Sequence, residues 1–301
     1  MTAASLRKTV FFGVVLTAIY TFLISGADAI TKQFAASYAA PQLFALSGLL
    51  VAGFCLLIQP VHSHQLLNVK TKCPRAMAVR TVATVAGTFA FYYAFRLLPF
   101  ADVFIFIALI PMMAAFLSAV FLNERVGIQS CSALALGLIG LTCLFPSGTQ
   151  SMSWGHLIAF AAAALGTISV VSSRYIGQRD RNLLMQVFYP YLALGMVALI
   201  ALPFVYQAMP ITDVLLAVCY ALLLFVARWV LAGALRLLPA YVVTPLMNLQ
   251  FLWMVGIGVL VFGERPGPEV YAGAFLVILA GAWLVWDQTQ PRRLQRAVPA
   301  E

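Results

Sequence analysis

Ala94-Phe95-Arg96-Leu97-Leu98-Pro99, an apolar run, and then Asn123-Glu124-Arg125-Val126-Gly127 recur further along the chain. The second copy reads Ala234-Leu235-Arg236-Leu237-Leu238-Pro239, another apolar run, and Gly263-Glu264-Arg265-Pro266-Gly267. The offset is 140 residues throughout with no gap, so Arg96 answers to Arg236 and Glu124 to Glu264. A repeat near half the chain length sets the architecture and is read first. Shared leucines alone would carry little weight, because apolar spans match one another by chance. The polar and proline matches at a fixed offset are what point to duplication.

Hydrophobic residues fill 63% of the 301 positions and charged residues only 9%. Soluble domains carry about a quarter charged residues, so this chain belongs to another class. Its uncharged stretches of roughly 20 residues are long enough to cross a bilayer core. A barrel is excluded, because its strands would alternate apolar and polar over about ten residues. Cys55, Cys73, Cys131, Cys143 and Cys219 are scattered and form neither a disulfide framework nor a metal cluster. No cofactor is expected, and the chain has no G-x-x-x-x-G-K-[ST] phosphate loop.

Arg7 and Lys8 precede an apolar run from Val10 to about Ile30, which is too long for a signal-peptide core and reads as a retained first span. Further spans are expected at about 42–59, 78–97, 100–122, 128–146, 154–176, 184–206, 213–235, 239–262 and 269–286. The fold class is therefore an all-α membrane protein of ten transmembrane helices in two five-helix repeats. The first repeat covers 1–148 and the second 149–301, with a basic tail. With the N-terminus in the cytoplasm, fourteen Lys and Arg fall in inside segments, while only Lys32, Arg96 and Arg265 fall outside. That is a positive-inside pattern with both termini cytoplasmic. The net charge of +9 is thus a topology signal, and no nucleic-acid partner is expected. The partners are the lipid bilayer and a small-molecule substrate, with the chain a monomer or homodimer.

An odd number of spans per half makes the two copies enter the membrane in opposite directions. Inverted repeats of this kind are a recurring transporter architecture. Halves in two slightly different conformations open a central site to one side, and exchanging those conformations opens it to the other.

The duplicated pattern resembles the drug/metabolite transporter superfamily and, within it, the EamA family. The resemblance rests on Asp102 early in the fourth span, on Asn123-Glu124-Arg125-Val126-Gly127, on Gly263-Glu264-Arg265, and on the Pro99 and Pro239 breaks. It implies an inner-membrane carrier of ten helices that moves amino acids and their derivatives, mostly outward, by alternating access. The chain departs from the family pattern at Asn123, where glycine is usual, and lacks a tryptophan near Ser25–Gly26. The expected substrate is an amino-acid-like or amino-acid-derived metabolite, opine-type metallophores included. The alternative is uptake of a vitamin or nucleoside-like compound such as riboflavin or S-adenosylmethionine.

Ionisable residues inside spans are costly and are functional candidates by default. Arg228 lies about two turns before the cytoplasmic end of the eighth span. Its guanidinium either snorkels or holds a substrate carboxylate through paired hydrogen bonds. Asp28 and Asp102, near the outer ends of the first and fourth spans, either bind a cation, carry a coupling proton, or pair with Lys32 and Arg96. Tyr241, Pro245, Asn248 and Leu252 share one helical face, where the Asn248 amide needs a partner in a ligand or another helix. Tyr92, Tyr93 and Trp253 are either pocket lining or ordinary packing. Ser169, Ser172 and Ser173 form a small-residue face suited to close helix approach. Glu124 and Glu264 are read as helix-ending pairs with their neighbouring arginines. His62 and His64 make a weak metal motif, so no metal is expected, and no hydrolytic constellation points to an enzyme.

Overall fold

The computed structural model describes residues 3–62, 71–100, 153–177, 183–237 and 246–265 without a break, and scattered positions elsewhere between 102 and 275. Every regular element among the described residues is helical. They are α1 Ala3–Ser37, α2 Ala40–His62, α3 Pro74–Leu97, α4 Trp154–Gly177, α5 Leu183–Val205 and α6 Ile211–Leu237. A 3-10 turn at Met247–Leu249 then leads into α7, Gln250–Phe262. The described positions from 100 to 117 are also helical, while the spans expected at 128–146 and 269–286 lie almost wholly outside the described residues.

Among the described residues, five stretches are long and apolar enough to cross a membrane: Thr9–Ser37, Ala40–Leu57, Trp154–Gly177, Leu184–Val205 and Ile211–Leu231. The helix α3 matches them in length but carries Arg75, Arg80 and Arg96. Its start is set by Pro74 in the first turn, where the missing N–H costs no hydrogen bond. Polar side chains within the apolar helices bond to their own backbone. Thr17 donates to the Gly13 carbonyl at 2.8 Å, Thr31 to Ala27 at 3.1 Å and Ser47 to Leu43 at 2.7 Å. Local bonds of this kind satisfy hydroxyls where no water is at hand.

Contacts between helix ends fix the directions. The end of α1 meets the start of α6, with the Tyr38 hydroxyl donating to Asp213. That bond holds the phenolic proton and raises the Tyr38 pKa above its ordinary value. The start of α2 meets the chain just after α5, with Gln42 Nε2 donating to the Gln207 carbonyl at 2.8 Å. The end of α3 lies against the start of α4 at Gly155, where an added Cβ would come within 2.9 Å of Leu98. At the opposite end the Lys72 N–H donates to Asp180 at 3.0 Å. Thus α1 and α4, α2 and α5, and α3 and α6 run in opposite directions. Packing joins α2 to α5, α3 to α4 and α1 to α6, with α7 set against α1.

The α2–α5 contact is the tightest in backbone terms. A Cβ at Gly48 would sit 2.6 Å from the Gly195 nitrogen, and one at Gly195 would sit 2.9 Å from the Leu49 nitrogen. Only glycine lets two helices approach so closely, the small-residue device common in membrane bundles. Around this crossing a core of Phe34, Leu43, Phe44, Val51, Tyr92 and Leu194 draws on α1, α2, α3 and α5.

Candidate functional site

The polar side chains inside the bundle form three levels, measured from the end where α1 and α3 finish and α6 begins. At that end Lys32 Nζ lies 2.6 Å from Glu264 Oε1, both side chains largely buried. The same oxygen accepts the Phe100 N–H at 3.0 Å, and the ammonium lies 5.7 and 5.2 Å from the Phe100 and Phe262 ring centres. Glu264 reaches this place because Gly263, at φ 63°, ends α7 in the left-handed conformation that glycine tolerates. The Glu264 N–H then bonds back to the Gly258 carbonyl at 2.9 Å. A cleft of about 660 Å³ opens beside this pair, lined by Gln33, Phe95, Arg96, Leu97 and Val261 among others. Neither Asp28 nor Arg228 lines that cleft.

The sequence reading paired Glu264 with Arg265, and left Lys32 or Arg96 as one of several partners for Asp28 and Asp102. The structure corrects the first: Glu264 pairs with Lys32, because the turn at Gly263 swings the carboxylate toward α1. Asp102 has His156, Glu264 and Lys32 as its charged neighbours, and so stands at this end of the bundle.

The second level lies nine residues before the end of α1, about 13 Å inward at 1.5 Å per residue. Here Gln250 Nε2 donates to Asp28 Oδ2 at 2.7 Å. Gln250 is itself only 4% exposed, and its carbonyl accepts Ser25 Oγ at 3.3 Å. One turn along, Trp253 Nε1 donates to Thr21 Oγ1 at 3.1 Å, so its indole joins α7 to α1. The sequence reading chose the amide of Asn248. The amide that meets Asp28 is Gln250, two residues on and about 200° around the helix. Asn248 stands half-buried in the 3-10 turn, and Tyr241 and Pro245 lie outside the described residues.

At the third level Tyr20 stands seventeen residues before Ser37, Arg80 seventeen before Leu97, and Arg228 seventeen after Ile211. Helical rise puts all three about 25 Å from the Lys32 end. Arg228 Nη2 donates to Tyr191 Oη at 3.5 Å, with Tyr20, Tyr220 and Asp28 also within its electrostatic reach. Among the described residues no carboxylate comes within ion-pair distance of this guanidinium. Arg228 is half-buried. Arg80 is fixed differently: its Nε and Nη1 donate to the Gln186 and Ser169 carbonyls at 3.2 and 3.1 Å.

Tyr92 does not join this group. Its ring is 0% exposed, edge-on to Phe44 at 5.4 Å, and its hydroxyl donates to the Tyr38 carbonyl at 3.2 Å. It ties α3 to the α1–α2 turn. Ser169 and Ser173 serve helix approach, bonding Thr84 and Gln186 at 2.6 Å each. Tyr20, Tyr191, Tyr220, Arg80 and Gln250 were missed in the sequence, since tyrosines in apolar spans look like packing. Two signals were available: Gln250, an uncharged amide in an otherwise apolar helix, and Arg80, an ionisable residue inside the span expected at 78–97.

Comparisons with known proteins place this bundle. Residues 11–145 match the family model of the EamA-like transporter family. The riboflavin transporter of Vibrio cholerae serotype O1 is 24% identical over 188 residues, 62% of this chain and 63% of that protein. The chain thus matches somewhat under two thirds of that relative's length. A crystal structure of a protein, 15% identical, superposes with a TM-score of 0.72 over 94% of this chain and 99% of that one, a likeness of fold alone. Members of the matched family are transporters and not enzymes. The match over residues 11–145 makes this part of the chain similar to the EamA-like transporter family, which lies within the drug/metabolite transporter superfamily.

Proposed function

We propose that the chain is a secondary carrier of the inner membrane that exports a small amino-acid-like or amino-acid-derived metabolite by alternating access. Its ten helices form two inverted five-helix repeats, 1–148 and 149–301, rocking about a shared site. The helix directions support this reading. A two-fold axis that exchanges α1 with α4, α2 with α5 and α3 with α6 turns the α1–α6 contact into the α3–α4 contact and leaves α2–α5 on itself. Basic residues support the orientation: Lys72, Arg75, Arg174 and Arg179 gather at the Asp180 end, which is the cytoplasmic side in this reading.

The observation that carries the substrate reading is Arg228, a guanidinium inside the bundle that bonds Tyr191 at 3.5 Å and, among the described residues, has no carboxylate within ion-pair distance. Such a group holds a ligand carboxylate through paired, charge-assisted bonds. Asp28, about 12 Å nearer the outer side, receives the ligand ammonium in place of the Gln250 amide and is the first candidate for a coupling proton. Asp102, at the outer end, is the second. The Lys32–Glu264 pair closes the outer side in this conformer. Uptake of a riboflavin-like compound is the second reading, favoured by the Vibrio relative.

Reconstituted in liposomes, the wild-type chain is expected to show counterflow of a carboxylate-bearing amino acid from a panel of metabolites. Arg228→Ala is expected to cut that flux by about a hundredfold, the loss of a bidentate charged contact, while inserting normally. An Arg228→Ala variant with wild-type counterflow removes this residue from the site.

A further inference from the structure

We propose that Arg80 is a second anion-binding residue of this site, so that the ligand is an amino acid bearing two acidic groups and one basic group. This rests on the Arg228 reading above and deepens it.

The argument is one of charge and position. Arg80 and Arg228 come from α3 and α6, stand at the same depth, and lie within electrostatic reach of each other and of Tyr191. Both guanidiniums bond to α5, Arg80 to the Gln186 carbonyl and Arg228 to the Tyr191 hydroxyl five residues on, so two like charges repel where the surroundings screen poorly. An anion between them removes that cost. The protein supplies none among the described residues. Asp180 accepts the Lys72 N–H, Asp213 the Tyr38 hydroxyl and Glu264 the Lys32 ammonium, while Asp102 stands beside His156. Asp28 is in reach of Arg228 but is capped by Gln250 and sits nearer the other end.

Counting formal charges, the two arginines and Asp28 leave +1. A simple zwitterion leaves that excess untouched. A ligand with two acidic groups and one ammonium cancels it, placing one acid on each guanidinium and the ammonium on Asp28. Arg80 is prepared for this, since its carbonyl bonds to Ser169 and Gln186 fix the guanidinium plane and leave Nη2 without a partner among the described residues.

Glutamate and glutamine are near-isosteric and differ by one acidic group, so they make the test. The purified full-length chain in lipid nanodiscs is titrated with each at matched ionic strength, and thermal stabilisation is followed. Wild type is expected to half-saturate with glutamate at about tenfold or more lower concentration than with glutamine. Arg80→Gln is expected to abolish that preference, Arg80→Lys to keep part of it, and Arg228→Gln to weaken both probes. Equal responses to the two probes in wild type, no response to glutamate, or a preference surviving Arg80→Gln overturns the proposal. If Arg228→Gln leaves both responses intact, the carboxylate clamp at Arg228 falls as well.

Discussion

Asp28 shows how a single side chain sets the character of the middle level. A carboxylate inside an apolar helix needs a donor, and the one it has is the Gln250 amide at 2.7 Å. Gln250→Leu keeps the side chain's bulk but removes that donor, leaving the acid uncompensated. Loss of a hydrogen bond to a charged group of this kind costs about 1.5–3 kcal/mol. The variant is expected to melt several degrees lower than wild type in nanodiscs, and unchanged melting would show that Asp28 finds another donor. The sequence displayed Asp28 and Gln250 222 positions apart, and nothing in either span says that they meet. For the same reason Glu264 was assigned to its neighbour Arg265. Local order along the chain suggested that pair, whereas the left-handed turn at Gly263 delivers the carboxylate to Lys32.

Among the helices, the α2–α5 crossing carries the most specific demand on sequence. A methyl group at Gly48 would fall 2.6 Å from the Gly195 nitrogen, a distance that backbone atoms cannot give way to. Five residues later in α2, Gly53 has nothing within 4 Å of the place a Cβ would take. Gly48→Ala is therefore expected to cost about 1–3 kcal/mol through overpacking, and Gly53→Ala to be neutral or slightly stabilising through helix propensity. Melting curves of the two variants, side by side, check the contrast; equal melting points would mean that the helices do not cross at Gly48. The spans themselves were legible, because uncharged apolar runs of bilayer length can do little else. The crossing was not: the chain has 20 glycines, and sequence does not say which of them face a neighbouring backbone. The helix α3 shows the opposite case. Its arginines lower its hydropathy, and Arg80 looked like a topology charge until its depth could be compared with that of Arg228.

On the scale of the molecule, the repeat at offset 140 suggests two related halves, and among the described helices α1 and α4, α2 and α5, and α3 and α6 run in opposite directions, which supports the proposed inversion. The all-helical, membrane-spanning character was legible from the uncharged apolar runs, while the inverted repeat read from Arg96 and Arg236 is part of the proposal. The arrangement of polar levels was not, because it depends on rotation and depth in three dimensions. Three tyrosines gather near Arg228 from α1, α5 and α6, and none carries a local mark that separates it from a packing residue. In the proposed carrier cycle the Lys32–Glu264 pair must break for the site to open outward, and the symmetry of the halves supplies the motion that breaks it.

The central claim, that the halves are inverted, is tested by labelling Arg96→Cys and Arg236→Cys, one at a time, in a variant without the five native cysteines. In intact cells a membrane-impermeant maleimide is expected to label Arg96→Cys, and to reach Arg236→Cys only after the membrane is opened. If both equivalent positions are labelled from the same side, the two copies cross the membrane in the same direction and the account is contradicted.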